Sequence, residues 1–255
     1  MKNWQENILA PLAFTLVLLV LWEMACRVFS LPATVLPAPT AIAKAMVQYW
    51  PAIWQNGLQT LMTTLLGFGL AIVFGLALGI GIGWSKFIYG ALYPVLIAFN
   101  AIPKVAVVPI LIIWFGIGTI PAILTAFLIS FFPIVVYVAT GLATTEPELQ
   151  DVLRALGASK FDIVRKVGIP RSMPYFFGSL KVAITLAFVG SVVSETIGAN
   201  TGLGQMMLAA QAGFNVELVF AGVMALAILG IALYAITAMI ERRFTGWAFR
   251  AGGMG

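Results

Sequence analysis

Apolar residues along the chain form long blocks, and polar residues are confined to the short segments between them. Six blocks approach or exceed the length of about 20 residues that a helix needs to cross a bilayer. They run from Ile8 to Val28, Gly57 to Trp84, Phe87 to Phe115, Pro121 to Leu142, Tyr175 to Ile197 and Leu218 to Ile240. Prolines interrupt the third block. The pattern predicts an all-α integral membrane protein with six transmembrane helices.

The longest polar stretch, residues 143–174, has the pattern of a helix, a glycine turn and a second helix. Thr145 and Glu148 have the spacing of a capping box, and Gly157 is a suitable C-terminal stop. Between them an apolar stripe at helical spacing is formed by Leu149, Val152, Leu153 and Leu156. A second capping box, residues 159–162, predicts a helix through Val167 that Ile169 and Pro170 end.

Two explanations fit a short amphipathic helix outside the lipid equally well. Its apolar stripe can rest on the membrane interface, or it can dock into a groove of another protein. The residues of the helix do not decide between them.

Composition agrees with a membrane location and sets an orientation. The chain of 255 residues is 62% hydrophobic and 9% charged, against roughly a quarter charged in soluble domains. With both termini on one side, ten Lys and Arg residues lie on that side and two on the other. The positive-inside rule therefore places both termini and residues 143–174 in the cytoplasm. We attribute the net charge of +5 to these basic residues beside the spans, and not to a surface that binds nucleic acid.

The residue inventory argues against intrinsic catalysis. There is no histidine, which removes the commonest metal ligand and general base. Cys26 is the single cysteine, so no intrachain disulfide can form. No phosphate-binding Gly-x-x-x-x-Gly-Lys-[Ser/Thr] motif is present, so ATP would have to be used by another chain. The first apolar block lacks a small-x-small cleavage site, and we expect it to be retained as a span.

The polar loop resembles the EAA loop of ABC importer permeases. That family pattern is Glu-Ala-Ala, three residues, Gly, nine residues and Ile-x-Leu-Pro. In this chain Asp151-Val152-Leu153 occupies the first positions, Gly157 the glycine, and Val167-Gly168-Ile169-Pro170 the end. The spacing fits, although only the acidic character survives at the first three positions.

Three further segments are similar to permeases of the nitrate, sulfonate, taurine and bicarbonate group. The first is Arg154-Ala-Leu-Gly-Ala-Ser159, within the loop. The second is Ile102-Pro-Lys-Val-Ala-Val-Val-Pro109, followed by Trp114-Phe-Gly-Ile-Gly118. The third is Glu195-Thr-Ile-Gly-Ala-Asn-Thr-Gly-Leu-Gly204. The resemblance covers nearly the whole chain, and the motifs are specific for the family but not for a substrate.

The resemblance implies a MetI-like permease fold in one transmembrane domain, residues 1–255, with a core of about 57–243. It also implies two cytoplasmic ABC ATPase subunits that bind ATP and Mg, an extracytoplasmic substrate-binding protein and a second permease copy. A homodimer is expected, because one chain supplies one coupling loop and the ATPases come in pairs. No cofactor is expected in this chain. The residues expected to couple to the ATPase are Glu148, Leu149, Asp151, Val152, Leu153, Arg154, Ala155, Leu156, Gly157 and Ala158.

Polar residues inside the predicted spans are candidates for the substrate pathway, because charge is costly in lipid. Lys104 lies between two prolines, with Asn100 one turn earlier, and would suit an anion. It can instead snorkel to an interface. Glu195 can contact substrate, pair with a cation such as Lys104, or cap a backbone amide. For Lys181, near a span end, snorkelling is the better explanation.

Small residues in the second block recur every four positions, at Ala71, Gly75, Gly79 and Gly83. This spacing predicts a helix face on which another backbone packs closely.

The substrate stays open at this level. The resemblance suggests a small anion such as sulfonate, taurine, nitrate or bicarbonate, and related permeases also serve aromatic acids and vitamin precursors. An ion-driven secondary transporter would need mid-membrane acidic residues, and Glu195 is the one weak candidate. A membrane-embedded enzyme would need a convergent set of catalytic groups that the chain lacks.

Overall fold

A computed structural model describes residues 2–144 and 147–251, and every regular element within them is helical. The first half contains α1 (Lys2–Val28), α2 (Pro39–Gln48), α3 (Trp50–Gly83), α4 (Lys86–Ala101), α5 (Val108–Phe115) and α6 (Thr119–Ala143). The second half contains α7 (Pro147–Ala155), α8 (Lys160–Ile163), α9 (Ile169–Gly198), α10 (Leu203–Ala212) and α11 (Val216–Ala251).

The predicted membrane spans are confirmed as helices of sufficient length and hydropathy. Within the described residues, five helical stretches can each cross a bilayer: Leu9–Val28, Trp50–Gly83, Thr119–Ala143, Phe161–Gly198 and Val216–Thr245. The proline-interrupted block forms a sixth, broken span, in which Phe87–Ala101 and Lys104–Phe115 meet at 72°. A short 3-10 turn, Lys104–Val107, joins the two halves. The break follows from Pro103 and Pro109, which remove two helical hydrogen-bond donors.

Close packing of α3 on α6, and of α6 on α9, forms the centre of the bundle. The predicted small-residue face of α3 is the face that contacts α6, and Gly67 extends it by one turn. Ile134 and Val138 of α6 fill the spaces beside Gly75 and Gly79. The absence of side chains at these glycines lets the two backbones approach closely, as in membrane helix pairs generally.

A second core lies at the end of the bundle where α2, α3, α10 and α11 meet. Ile42, Ile53, Leu203, Met206 and Ala221 are buried together there. The start of α2 is fixed by Glu23 of α1, whose carboxylate accepts hydrogen bonds from the Thr40 amide at 3.1 Å and its hydroxyl at 2.9 Å. Glu23 also forms a local ion pair with Arg27, at 2.6 Å. This end therefore combines an apolar cluster with polar contacts between helices.

The prediction that Ile169 and Pro170 end the second loop helix is wrong. The helix continues from α8 through a π turn, Val164–Gly168, into α9. Proline is tolerated in a helix where the local hydrogen-bond pattern already changes, and a π turn makes such a change. The amide of Ile169 donates to the carbonyl of Val164, five residues back, just before the proline. The second loop helix is thus continuous with the membrane span.

Candidate functional sites: the loop helix and the broken span

The loop helix α7 ends in a complete Schellman motif at Gly157. This glycine has φ of +84°, a left-handed conformation that side chains disfavour. The Gly157 amide donates to the Arg154 carbonyl at 2.9 Å, and the Ala158 amide donates to the Leu153 carbonyl at 2.9 Å. The predicted stop is therefore confirmed, and it fixes the direction in which the chain leaves α7.

The second loop helix begins at the predicted capping box. The hydroxyl of Ser159 accepts a hydrogen bond from the Asp162 amide at 3.1 Å and donates to the Asp162 carboxylate. Phe161 packs near Trp84 beyond the end of α3, with ring centroids 6.3 Å apart. Both helices that flank Gly157 therefore have defined ends, and α8 is attached to the bundle.

Two residues of the apolar stripe of α7, Val152 and Leu156, face away from the rest of the described chain. Val152 is 57% exposed and Leu156 is 78% exposed. Within residues 2–144 and 147–251, α7 packs only against α8. Asp151 and Arg154 form an ion pair of 3.0 Å. The side chain of Leu149, and the residues Thr145 and Glu146 of the first predicted capping box, lie outside the described residues. The helix is therefore presented to the surroundings with an uncovered apolar stripe.

The break in the third span brings Lys104 and Asn100 together. The Lys104 ammonium donates to the side-chain oxygen of Asn100 at 2.9 Å and to its backbone carbonyl at 3.2 Å. It also lies 4.7 Å from the centre of the Phe132 ring of α6, a cation–π contact. Lys104 is half-buried and Asn100 is exposed. A positive charge is thus held at irregular backbone within a span, where it can meet a ligand.

Glu195 lies elsewhere, in the last turn of α9, against the turn that leads to α10. It is 1% exposed, and its carboxylate accepts hydrogen bonds from the Thr60 hydroxyl at 2.8 Å and the Gly204 amide at 3.1 Å. Of the alternatives that the sequence left open, the structure therefore shows the amide cap and not a pair with Lys104.

The partners of Glu195 on α3 were not identified from the sequence. They are Thr60 and Thr63, in the N-terminal half of α3, and Asn56 of the same helix accepts a hydrogen bond from the Gly202 amide. The signal was present, because Asn56, Thr60 and Thr64 recur at a four-residue spacing and so share one face of the span. Polar residues on one face of a span often bond to a neighbouring helix.

Lys181, for which snorkelling was the preferred explanation, has an ion-pair partner that the sequence did not identify. Its ammonium lies 2.7 Å from the carboxylate of Glu241 on α11, and their side chains are 29% and 10% exposed. Glu241 was not singled out in the sequence, because it follows the last apolar block and precedes two arginines. The ion pair joins α9 to α11 and compensates both charges in a largely buried position.

We expect Lys181→Met to destabilise the protein by about 3 kcal/mol, because it leaves Glu241 buried without its partner. The double variant Lys181→Met/Glu241→Met should recover most of that loss, since apolar residues can replace a buried pair. Thermal unfolding of the detergent-solubilised protein measures both. Equal melting temperatures for the wild type and Lys181→Met would contradict the ion pair.

Comparison with known proteins places these features in a family. Residues 71–246 match the family described as "Binding-protein-dependent transport system inner membrane component". The chain is 32% identical to the formylaminopyrimidine transport permease protein ThiX of Halalkalibacterium halodurans, over 94% of this chain and 96% of the relative. It is 27% identical to the taurine transport system permease protein TauC of Escherichia coli, over 91% and 86%.

The fold matches a solved permease. A chain of the MetNI methionine ABC transporter, in an inward-facing conformation, superposes with a TM-score of 0.65 at 22% identity. The match covers 78% of this chain and 97% of that one. It confirms the MetI-like fold, and the family match covers the loop helix, the broken span and the turn at Glu195. The chain belongs to the binding-protein-dependent inner-membrane transport components, and it is an ABC importer permease subunit.

Proposed function

We propose that α7 is the coupling helix, the segment that transmits conformational changes of the ATPases to this permease. The observation that carries the proposal is the isolation of α7: its stripe is exposed, its end is fixed by Gly157, and it packs on no membrane span among the described residues. A helix that only stabilised its own chain would bury that stripe. The proposed contacts are residues 148 and 149 and residues 151–158.

The continuity of the loop with α9 supplies a route for the motion. A displacement of α7 reaches α9 through the turn at residues 156–159, α8 and the π turn, and the helix is unbroken from Lys160 to Gly198. In this proposal, ATP and Mg bind to two cytoplasmic ATPase subunits, both termini lie in the cytoplasm, and this chain hydrolyses nothing. A second copy of the chain completes the permease. The whole chain acts as one transmembrane domain, with residues 143–174 as its coupling segment.

Co-purification tests this function. The permease is co-expressed with its neighbouring genes and captured through a tag on the permease. An ATPase should co-purify, two permease copies should be present per complex, and the binding protein should stimulate ATP hydrolysis. A permease that purifies alone and transports with an ion gradient would contradict the proposal.

We propose a small anion, such as a sulfonate or taurine, as the substrate. Lys104 carries this proposal, because a cation held by Asn100 and Phe132 in a broken span can attract an anion as it passes. The taurine permease relative supports the same class. The formylaminopyrimidine permease relative supports a vitamin precursor as the second candidate. Ligand screening of the partner binding protein, by thermal shift, separates the two classes.

If the anion proposal holds, Lys104→Met should reduce uptake of the anion about tenfold or more, since a hydrogen bond to a charged group contributes about 1.5–3 kcal/mol. Lys104→Arg, which keeps the charge, should retain most of the uptake. Lys104→Arg therefore serves as the matched control. Uptake of labelled substrate into proteoliposomes measures both variants and the wild type. Equal uptake by Lys104→Met and Lys104→Arg would exclude a role of the Lys104 charge in the pathway.

A further inference from the structure

Three successive backbone amides at the start of α10 are each held by a side chain from another helix. The Gly202 amide donates to the Asn56 side-chain oxygen at 2.8 Å, and the Leu203 amide donates to the Thr60 hydroxyl at 2.9 Å. The Gly204 amide donates to Glu195 at 3.1 Å. The first amides of a helix have no partner within the helix, so these contacts satisfy donors that would otherwise be buried unpaired. We call Asn56, Thr60 and Glu195 the amide clamp.

Thr60 links the parts of the amide clamp into one chain of hydrogen bonds. Its hydroxyl accepts from the Leu203 amide and donates to Glu195 at 2.8 Å. Thr63 donates to the other carboxylate oxygen at 3.3 Å and bonds the Ser191 hydroxyl. Successive hydrogen bonds of this kind polarise and strengthen one another in a low-dielectric interior.

The backbone of the turn packs directly on the carboxylate. Gly202 has φ of +113°, and a Cβ placed there would overlap the Glu195 carboxyl group. A Cβ on Gly204 would lie 2.6 Å from the Val192 carbonyl and 2.9 Å from the Glu195 Cβ. The turn therefore accepts only glycine at both positions, and α10 is held against the ends of α3 and α9.

The position of α10 determines several other elements at the same end of the bundle. Leu203 and Met206 are buried in the cluster that α2, α3 and α11 share. After α10, Asn215 accepts a hydrogen bond from the Leu218 amide at 3.1 Å and donates to the Tyr49 hydroxyl at 3.1 Å. A shift of α10 would therefore move the start of α11 and the α2–α3 corner with it.

We propose that Glu195 is a positioning residue, which through the amide clamp fixes the outward surface that the binding protein engages. The inference rests on the proposed importer function and orientation, which place α2 and α10 on the outward side. Glu195 is sealed from solvent in this conformation, so it acts through the placement of α10. Loosening the amide clamp therefore weakens the productive binding of the binding protein to the permease. It does not impair the activity of the ATPase itself.

Four variants in the full complex test this inference. Glu195→Gln keeps the shape and replaces one of the two accepting oxygens with an amide group that can only donate, whereas Thr60→Val keeps the shape and removes the hydroxyl. Thr60→Ser restores the hydroxyl. The matched control is Thr64→Val, because Thr64 is equally buried one turn further along α3 and its hydroxyl has no hydrogen-bond partner among the described residues.

Two measurements are made on each variant. Amide hydrogen exchange of Leu203 and Gly204 should be about tenfold faster in Glu195→Gln and Thr60→Val, as the loss of a charge-assisted bond predicts. The binding-protein concentration that gives half-maximal ATPase stimulation should rise about tenfold in the same two variants. Thr60→Ser and Thr64→Val should match the wild type in both measurements.

The outcomes separate the clamp from the importer function. Wild-type exchange rates in Thr60→Val and Glu195→Gln would overturn the clamp. Faster exchange with an unchanged half-maximal concentration would overturn the positioning role. A wild-type complex that the binding protein does not stimulate would overturn the proposed function, while the exchange rates still decide the clamp. If Glu195→Gln does not assemble, the comparison of Thr60→Val with Thr60→Ser decides both points.

Discussion

Gly157→Val should lose at least about nine tenths of transport activity while the membrane spans stay folded. The left-handed conformation at Gly157 costs an ordinary residue about 1–2 kcal/mol, and a β-branched residue more. The variant escapes this cost by unwinding the end of α7 and redirecting the chain toward α8. A free-energy cost of about 1.4 kcal/mol lowers an equilibrium population tenfold. The fraction of permeases with a correctly placed α7 should therefore fall about tenfold or more. ATP-dependent uptake into proteoliposomes measures the loss.

The control for this prediction is Gly157→Asn. Asparagine adopts the left-handed conformation more readily than other side chains, and no atom lies within 4 Å of a Cβ built at this position. The two variants therefore differ mainly in backbone preference and not in steric fit within the chain. We expect Gly157→Asn to keep most of the activity. If both variants lose activity equally, Gly157 acts by direct contact with the ATPase, and the argument from helix termination is wrong.

Local sequence signals predicted most structural features of the loop formed by residues 143–174. The glycine stop, the Ser159 capping box and the stripe of α7 each depend on residues close together in the chain, and the structure places them as predicted. The error concerned Pro170, where a π turn accommodates the proline and the helix continues. Proline and glycine mark where regular hydrogen bonding changes, but the sequence does not show whether the chain bends, ends or continues there.

The sequence patterns did not predict contacts between helices that are distant in the chain. The partners of Glu195 on α3 lie more than 100 residues away in the chain, and so do those of the turn amides 202 and 203. Lys181 and Glu241 come from different spans, and either charge alone resembles an ordinary span-end residue. A charge in a span indicates that a partner is needed, and only the packing of the helices identifies it. The polar sites therefore needed the structure, whereas the spans did not.

Gly67→Leu should prevent assembly of the bundle, with at least about a tenfold loss of folded protein. A Cβ at this position would lie 2.5 Å from the Cβ of Ala126, 2.7 Å from the Ile123 carbonyl and 2.9 Å from the Phe127 amide. Two of these atoms belong to the backbone of α6, so no change of rotamer relieves the overlap. Overpacking typically costs about 1–3 kcal/mol and more where backbones must separate. Fluorescence-detected size-exclusion chromatography of solubilised membranes measures the folded fraction.

Gly69→Leu and Gly81→Leu are the matched controls, because they add the same side chain to the same helix. A Cβ at either position has no neighbouring atom within 4 Å. Both variants should therefore give folded protein at close to the wild-type yield, since leucine is as apolar as the surrounding lipid. The contrast isolates the α3–α6 contact from helix propensity, which leucine improves equally at all three sites. A normal yield of Gly67→Leu would show that α3 and α6 do not pack along this glycine face.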